Sequence, residues 1–220
     1  VKIREFEKIK KFGFLPDDQN TNDVRIRELE WLAPYLPNWG LNLEFGVFNG
    51  TTISCLANAR PDLEFHGFDS FEGLPEDWDM GQKEVKAEAF DRKGELPQVP
   101  DNVKLYKGWF DETLPTFLEN NSGDLGYLHV DCDIYSSTVT ILENCNDRIK
   151  PGTIIRWDEL SCWRHVFGEA SPRGKANRVM YTTWKEHEWK AMNEWLEKYD
   201  RKVIPLCRNW FQGATVMVTQ

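Results

Sequence analysis

Apolar positions along the chain keep switching between two periods, and each switch marks a change of element. LNLEFG (Leu41 to Gly46), LEFHGFD (Leu63 to Asp69), VKLY (Val103 to Tyr106), the run from Gly126 to Val130 and PGTIIRWDE (Pro151 to Glu159) are short apolar runs bounded by turn residues, which predicts buried strands. Between them Thr51 to Arg60, DETLPTFLEN and SSTVTILENCNDRI predict helices. In the last of these Val139, Leu142 and Ile149 fall on the sheet-facing side, with Ser136 or Ser137 as cap. Ahead of the first strand, Thr21-Asn22-Asp23 offers caps for a helix in VRIRELEWLAPYL, where Val24, Ile26, Leu29, Leu32 and Leu36 recur at roughly helical spacing and Pro34 and Pro37 limit its length. Strands alternating with helices call for a mostly parallel sheet with right-handed crossovers. SFEGLPEDWDMGQ, after the second strand, is rich in turn residues and reads as a loop. The stretch from Leu160 to Tyr181 breaks the rhythm with Gly, Pro, Arg and aromatic residues and reads as a lid over the strand ends. WKEHEWKAMNEWLEKY then predicts a strong helix, and KVIPLCRNWFQGATVMVT a terminal antiparallel hairpin.

At 220 residues the chain is the size of one α/β domain, so residues 1–220 are taken as a single core, with an N-terminal helical segment over 1–40 and a lid over 160–184. The net charge of -9 leaves no basic face for nucleic acid and suits a cationic small ligand or a metal ion. Cys55, Cys132, Cys145, Cys162 and Cys207 form no C-x-x-C pair, which disfavours a disulfide framework or a zinc site and points to the cytoplasm. No apolar stretch approaches the roughly 20 residues that span a bilayer, and the charged opening VKIREFEKIKKFGF resembles neither signal peptide nor anchor. A homo-oligomer is compatible with all of this and is not specified by it.

The chemistry gathers at the carboxyl ends of the predicted strands. Glu44 is followed by Gly46-x-x-x-Gly50, which lets a ligand approach the backbone there. The G-x-G-x-x-G of dinucleotide-binding proteins is absent, which counts against an oxidoreductase. Asp69 ends the next strand, where an acid can accept both ribose hydroxyls of a nucleoside. Asp131 ends the fourth strand, and Asp158 and Glu159 end the fifth. Carboxylates converging there repel one another unless a cation sits among them, and a hard divalent ion such as Mg²⁺ removes the conflict. Asp133 is read either as a base or as a cap for the following helix. For His129 the favoured reading is a histidine satisfied by its neighbours. His187, between Glu186 and Glu188, reads as part of a solvated face.

LEFGVFNGTTI, HGFDSFEGLPEDW, KGWFDETLP, HVDCDIYSST, PGTIIRWDE and WKEHEWKAMNEWL, taken in this order, resemble the macrocin and mycinamicin sugar O-methyltransferases, from about Leu41 to Tyr199. The resemblance implies a class I, Rossmann-like methyltransferase fold: a mostly parallel seven-stranded sheet with a C-terminal antiparallel hairpin and helices on both faces. It implies S-adenosylmethionine as donor, a divalent cation such as Mg²⁺, and a small-molecule hydroxyl acceptor, often a sugar. By that likeness Glu44, Gly46 and Gly50 line the methionine part, with Thr51 beside them. Asp69 holds the ribose, and Ser70, Gly108 and Trp109 fall near the adenine. Asp131, Asp158 and Glu159 hold the metal, Asp131 also bordering the cofactor, and Asp133 is the candidate base. The catechol-type cousins carry a lysine base three residues after the first metal aspartate, and here that position is Ile134. Two rivals stay open: methyl transfer without a metal, and a non-catalytic nucleoside-binding module.

Overall fold

The computed structural model describes residues 21–160, 181–209 and 212–220. Seven strands form one sheet: β1 (Leu41–Phe45), β2 (Phe65–Asp69), β5 (Val103–Lys107), β6 (Leu125–Val130), β7 (Ile149–Trp157), β8 (Val203–Arg208) and β9 (Ala214–Val218). Their spatial order is β5-β2-β1-β6-β7-β9-β8. The first five run parallel, and β9 pairs antiparallel with both β7 and β8, which is the terminal hairpin predicted from the tail. All six residues of β6 are buried, as expected of a central parallel strand covered on both faces.

Helices α1 (Thr21–Leu32) and α2 (Thr51–Ala59) cover one face, where Leu29, Leu32, Ile53 and Leu56 are fully buried. Helices α3 (Phe110–Asn120), α4 (Tyr135–Cys145) and α5 (Glu188–Lys198) cover the other through Leu114, Ile141, Met192 and Trp195. From β1 the chain builds outward to β2 and β5, then returns to add β6 and β7 on β1's other side. The carboxyl ends of β1 and β6 therefore flank the point where the order reverses, and a crevice opens there.

Four expectations are adjusted. α4 begins at Tyr135 with Ile134 as its N-cap and no side-chain cap, because the Ser136 hydroxyl donates instead to Glu76 Oε1 at 2.6 Å. The late helix is interrupted: Trp184–Glu186 form a 3₁₀ turn, the backbone leaves helical angles at His187, and α5 starts at Glu188. The loop after β2 contains a small antiparallel ribbon, β3 (Trp78–Asp79) with β4 (Glu84–Val85). The fifth strand starts earlier than expected and stops at Trp157, leaving Asp158 and Glu159 beyond its end. The lid read over 160–184 lies outside the described residues except at Leu160 and from Tyr181 onward.

Candidate active site

A cavity of about 1050 Å³ lies at the reversal point, walled by the loops after β1, β2, β6 and β7. Its floor depends on Gly46. This residue sits at φ 92°, and a Cβ there would stand 1.7 Å from the carbonyl oxygen of Asp131. Only glycine lets the ends of β1 and β6 approach so closely. Gly50, at φ 74°, is the N-cap of α2 and donates its N–H to Val47 O at 2.8 Å. It shapes the turn without lining the cavity, whereas Gly46 and Thr51 line it.

Asp69 faces the cavity with its oxygens held by backbone. Oδ2 accepts from the Phe48 N–H and Oδ1 from the Phe71 N–H, both at 2.7 Å. Phe48 and Phe71 adopt φ of 45° and 56°, the left-handed region, and these two bonds are what hold them there. Burial raises the Asp69 pKa, and the backbone donors work against that rise. Each oxygen keeps a lone pair for a further donor. Ser70 and Trp109 also line the cavity, Ser70 donating to Gly73 O at 2.8 Å. Gly108 lies behind, its N–H tied to Asp69 O at 3.0 Å.

Glu44, expected against the cofactor, is set behind the cavity wall. It is 1% exposed; Oε1 accepts from Thr52 Oγ1 and Oε2 from His129 Nδ1, each at 2.8 Å. His129 Nε2 meets Arg156 Nη1. A guanidinium can only donate, so Nε2 accepts and Nδ1 carries the hydrogen given to Glu44. His129 is thus satisfied by its neighbours, as expected. Arg156, itself fully buried, pairs with Asp158 Oδ1 at 2.8 Å and with Glu28 Oε2 at 3.2 Å. Glu28, on α1, also accepts from Asn209 and Thr215.

Asp131, Asp133 and Glu159 come together at the cavity wall, each offering an oxygen within 4.8 Å of the others. Asp158, expected as a metal ligand, is instead 1% exposed and turned toward two arginines: Arg156, and Arg25 of α1, whose Nη2 lies 3.2 Å from Asp158 Oδ2. Arg25 Nη1 also reaches to 4.0 Å from Asp131 Oδ2. A second triad, His129, Asp131 and Asp158, lies within the same mutual distance. Its histidine nitrogen and its Asp158 are already engaged by these arginines. The cation needed among the strand-end acids is therefore supplied in part by the chain.

Among the described residues that supply is incomplete. Burial opposes ionisation of Asp158, but Arg25 and Arg156 outweigh it and hold its pKa below the usual carboxylate range. Burial and then Asp158 push Asp131 up to about 6, against the pull of Arg25. Burial followed by repulsion from Asp131 drives Asp133 well above the ordinary value, and burial with repulsion from Asp158 and Asp133 does the same for Glu159. Glu159 Oε1 accepts from Gln212 Nε2 at 3.3 Å, while Oε2 is buried with no hydrogen-bond partner among the described residues. An all-oxygen set with an unmatched buried oxygen and mutual repulsion suits a hard divalent ion.

The sequence reading passed over Arg25, Glu28 and Arg156, and placed Glu188 on the surface. Arg156 was detectable as a charge inside an apolar strand, and Glu188 as an acid sharing the buried helical face of Ala191, Met192 and Trp195. The reading of His187 and Glu188 as a solvated face is corrected: Glu188 is fully buried, and burial lowers the pKa of His187, whose Nε2 lies 3.0 Å from Asp79 O.

A sheet of this order, with a glycine loop after β1 and an acid closing β2, defines the class I methyltransferase fold. Residues 43–160, more than half of the chain, match the family described as "Methyltransferase domain", and the chain belongs to that family. It is 34% identical to 8-demethyl-8-(2,3-dimethoxy-alpha-L-rhamnosyl)-tetracenomycin-C 4'-O-methyltransferase of Streptomyces olivaceus, over 54% of this chain and 52% of that protein. The chain thus spans about half the length of the curated relative it matches. Among solved structures, a calicheamicin methyltransferase aligns with TM-score 0.62 at 22% identity, covering 91% of this chain and 80% of that one. The O-methyltransferase NovP gives 0.55 at 21%, covering 90% and 80%. A mycinamycin methyltransferase in complex with Mg and SAH gives 0.51 at 14%, covering 99% of this chain and 54% of that one. At these identities the structural likenesses establish the fold.

Proposed function

We propose that the chain transfers the methyl group of S-adenosylmethionine to a hydroxyl of a small molecule, a sugar or glycosylated metabolite. The observation that carries this reading is the single cavity in which the Gly46 loop, Asp69 and the Asp131–Asp133–Glu159 cluster meet. The sugar class is supported by the rhamnosyl substrate in the name of the Streptomyces olivaceus relative. Residues 1–220 are taken as one methyltransferase domain, and the four free cysteines among the described residues suit the cytoplasm.

In this reading Asp69 accepts the two ribose hydroxyls on its remaining lone pairs, with Phe48 and Phe71 N–H fixing the carboxylate plane. Gly46 and Thr51 leave room for the methionine part, and Ser70 and Trp109 border the adenine. Glu44 acts from behind, stiffening the start of α2 through Thr52. Asp131, Asp133 and Glu159 would hold a divalent cation. Bound there, such an ion supplies a Lewis acid that lowers the pKa of an alcohol. Asp133, which lies on the cavity wall, would take the proton of the acceptor hydroxyl.

One observation favours a second reading, methyl transfer without a metal: Arg25 and Arg156 already neutralise Asp158. Incubation with labelled S-adenosylmethionine and a panel of sugar-bearing acceptors, with EDTA and with restored Mg²⁺, decides both points. Label on a sugar acceptor only when Mg²⁺ is present supports the main reading, and EDTA-insensitive transfer selects the second. No transfer to any hydroxyl acceptor, with no donor binding, would remove both.

A further inference from the structure

Glu188 is the first residue of α5 and is fully buried on the helix face that packs on the sheet. Its carboxylate does not cap its own helix. Oε2 accepts from the Glu159 N–H at 3.0 Å and Oε1 from the Cys132 N–H at 3.4 Å. One side chain therefore spans the loop after β6 and the loop after β7. Cys132 stands between Asp131 and Asp133, so the two amides it grips belong to the segments that present all three clustered carboxylates. Those loops hang from adjacent parallel strands: Asp158 N–H still bonds to Val130 O at 3.0 Å, but Glu159 lies past the last ladder bond. Past that point Glu188 is the cross-link, and among the described residues no lysine or arginine pairs with it. A buried carboxylate whose donors among the described residues are two neutral amides is costly, and an uncharged residue would pack there at less cost.

We propose that Glu188 is a positioning residue: from α5 it holds the Asp131–Asp133 loop and the Glu159 loop at the spacing at which their carboxylates can share one ion. The consequence for cation binding rests on the metal reading above, while the clamp itself does not. α5 thereby becomes part of the site's framework although it contributes no residue to the cavity wall.

The test uses the full chain and two variants. Glu188→Ala removes both acceptors, and Glu188→Gln keeps one carbonyl acceptor and the side-chain volume, so that at least one variant folds. Three quantities are measured: amide hydrogen exchange resolved at single residues, Mn²⁺ affinity by calorimetry, and S-adenosylmethionine affinity. The proposal expects the Cys132 and Glu159 amides to lose protection selectively while those of Leu128 and Val130 keep it. It also expects Mn²⁺ affinity to fall at least tenfold in Glu188→Ala and less in Glu188→Gln, with donor affinity unchanged. Unchanged protection at Cys132 and Glu159, or unaltered Mn²⁺ affinity in both variants, overturns it. Should the wild-type chain bind no Mn²⁺, the metal reading fails, and amide protection alone then decides the clamp, a selective loss supporting it and retention refuting it.

Discussion

On the β1–β2 side of the cavity, Asp69 has both oxygens held by the amides of Phe48 and Phe71, and Glu44 has both matched by Thr52 and His129. On the β6–β7 side, Asp131, Asp133, Glu159 and Glu188 stand close to Asp158 with Arg25 and Arg156 as the cations among them, and their pKa values are driven upward by burial and by one another. The first side is finished as it folds, since its acids already have their donors and only lone pairs remain for a ligand. The second gathers more carboxyl groups than the arginines among the described residues pair with. Such a surplus is tolerable in a folded protein when a positively charged ligand completes it.

This contrast can be broken in several ways. Donor binding is broken by Asp69→Ala, which removes the acceptor proposed for two hydroxyls: donor affinity should fall by about 100-fold or more while divalent-cation affinity stays the same, as titration with each ligand separately would show. Next, Asp133→Asn should lower the rate of methyl transfer by roughly 10²–10⁴ with little change in donor affinity, measured by single-turnover kinetics. A smaller change is expected from Arg25→Met. Loss of the guanidinium beside Asp158 and Asp131 should raise Mn²⁺ affinity by about 3- to 10-fold, because a competing positive charge is removed from the cluster, and lower the melting temperature of the cation-free protein.

The smallest effect is one of pH. A carboxyl group whose pKa rises on folding binds its proton more tightly in the folded chain, so its contribution to stability is complete below the unfolded pKa and is lost as pH climbs through the folded one. For Asp131 that window runs from 3.8 to about 6, and the loss is on the order of 3 kcal/mol. The cation-free protein should therefore melt a few degrees lower at pH 7.5 than at pH 5 by differential scanning calorimetry, and excess Mg²⁺ should narrow the gap. Asp158 runs the other way: its lowered pKa keeps its contribution intact over this range.

The two sides were also unequally legible in the sequence. Strand-ending acids and glycines at fixed offsets are local features, so Gly46, Asp69, Asp131 and Glu159 could be placed at one sheet edge from the chain alone. Which way each carboxylate turns is decided by residues distant in sequence. Arg25 is carried in by α1 and draws Asp158 away from the cavity, and Asp133 takes the place beside Asp131 and Glu159. Glu44 turns to a partner distant in sequence for the same reason, because His129 lies on the neighbouring strand. The ribbon of β3 and β4 was hidden by its length, two residues a strand, in a stretch dense with turn residues.

The most direct measurement is calorimetric titration of the cation-stripped chain with Mn²⁺, alongside Asp133→Asn, Glu159→Gln and Asp158→Asn. One bound ion per chain is predicted, lost or weakened at least tenfold in Asp133→Asn and Glu159→Gln and largely kept in Asp158→Asn. Absence of binding in the wild type, or binding that vanishes with Asp158 and survives loss of Asp133, would contradict the account.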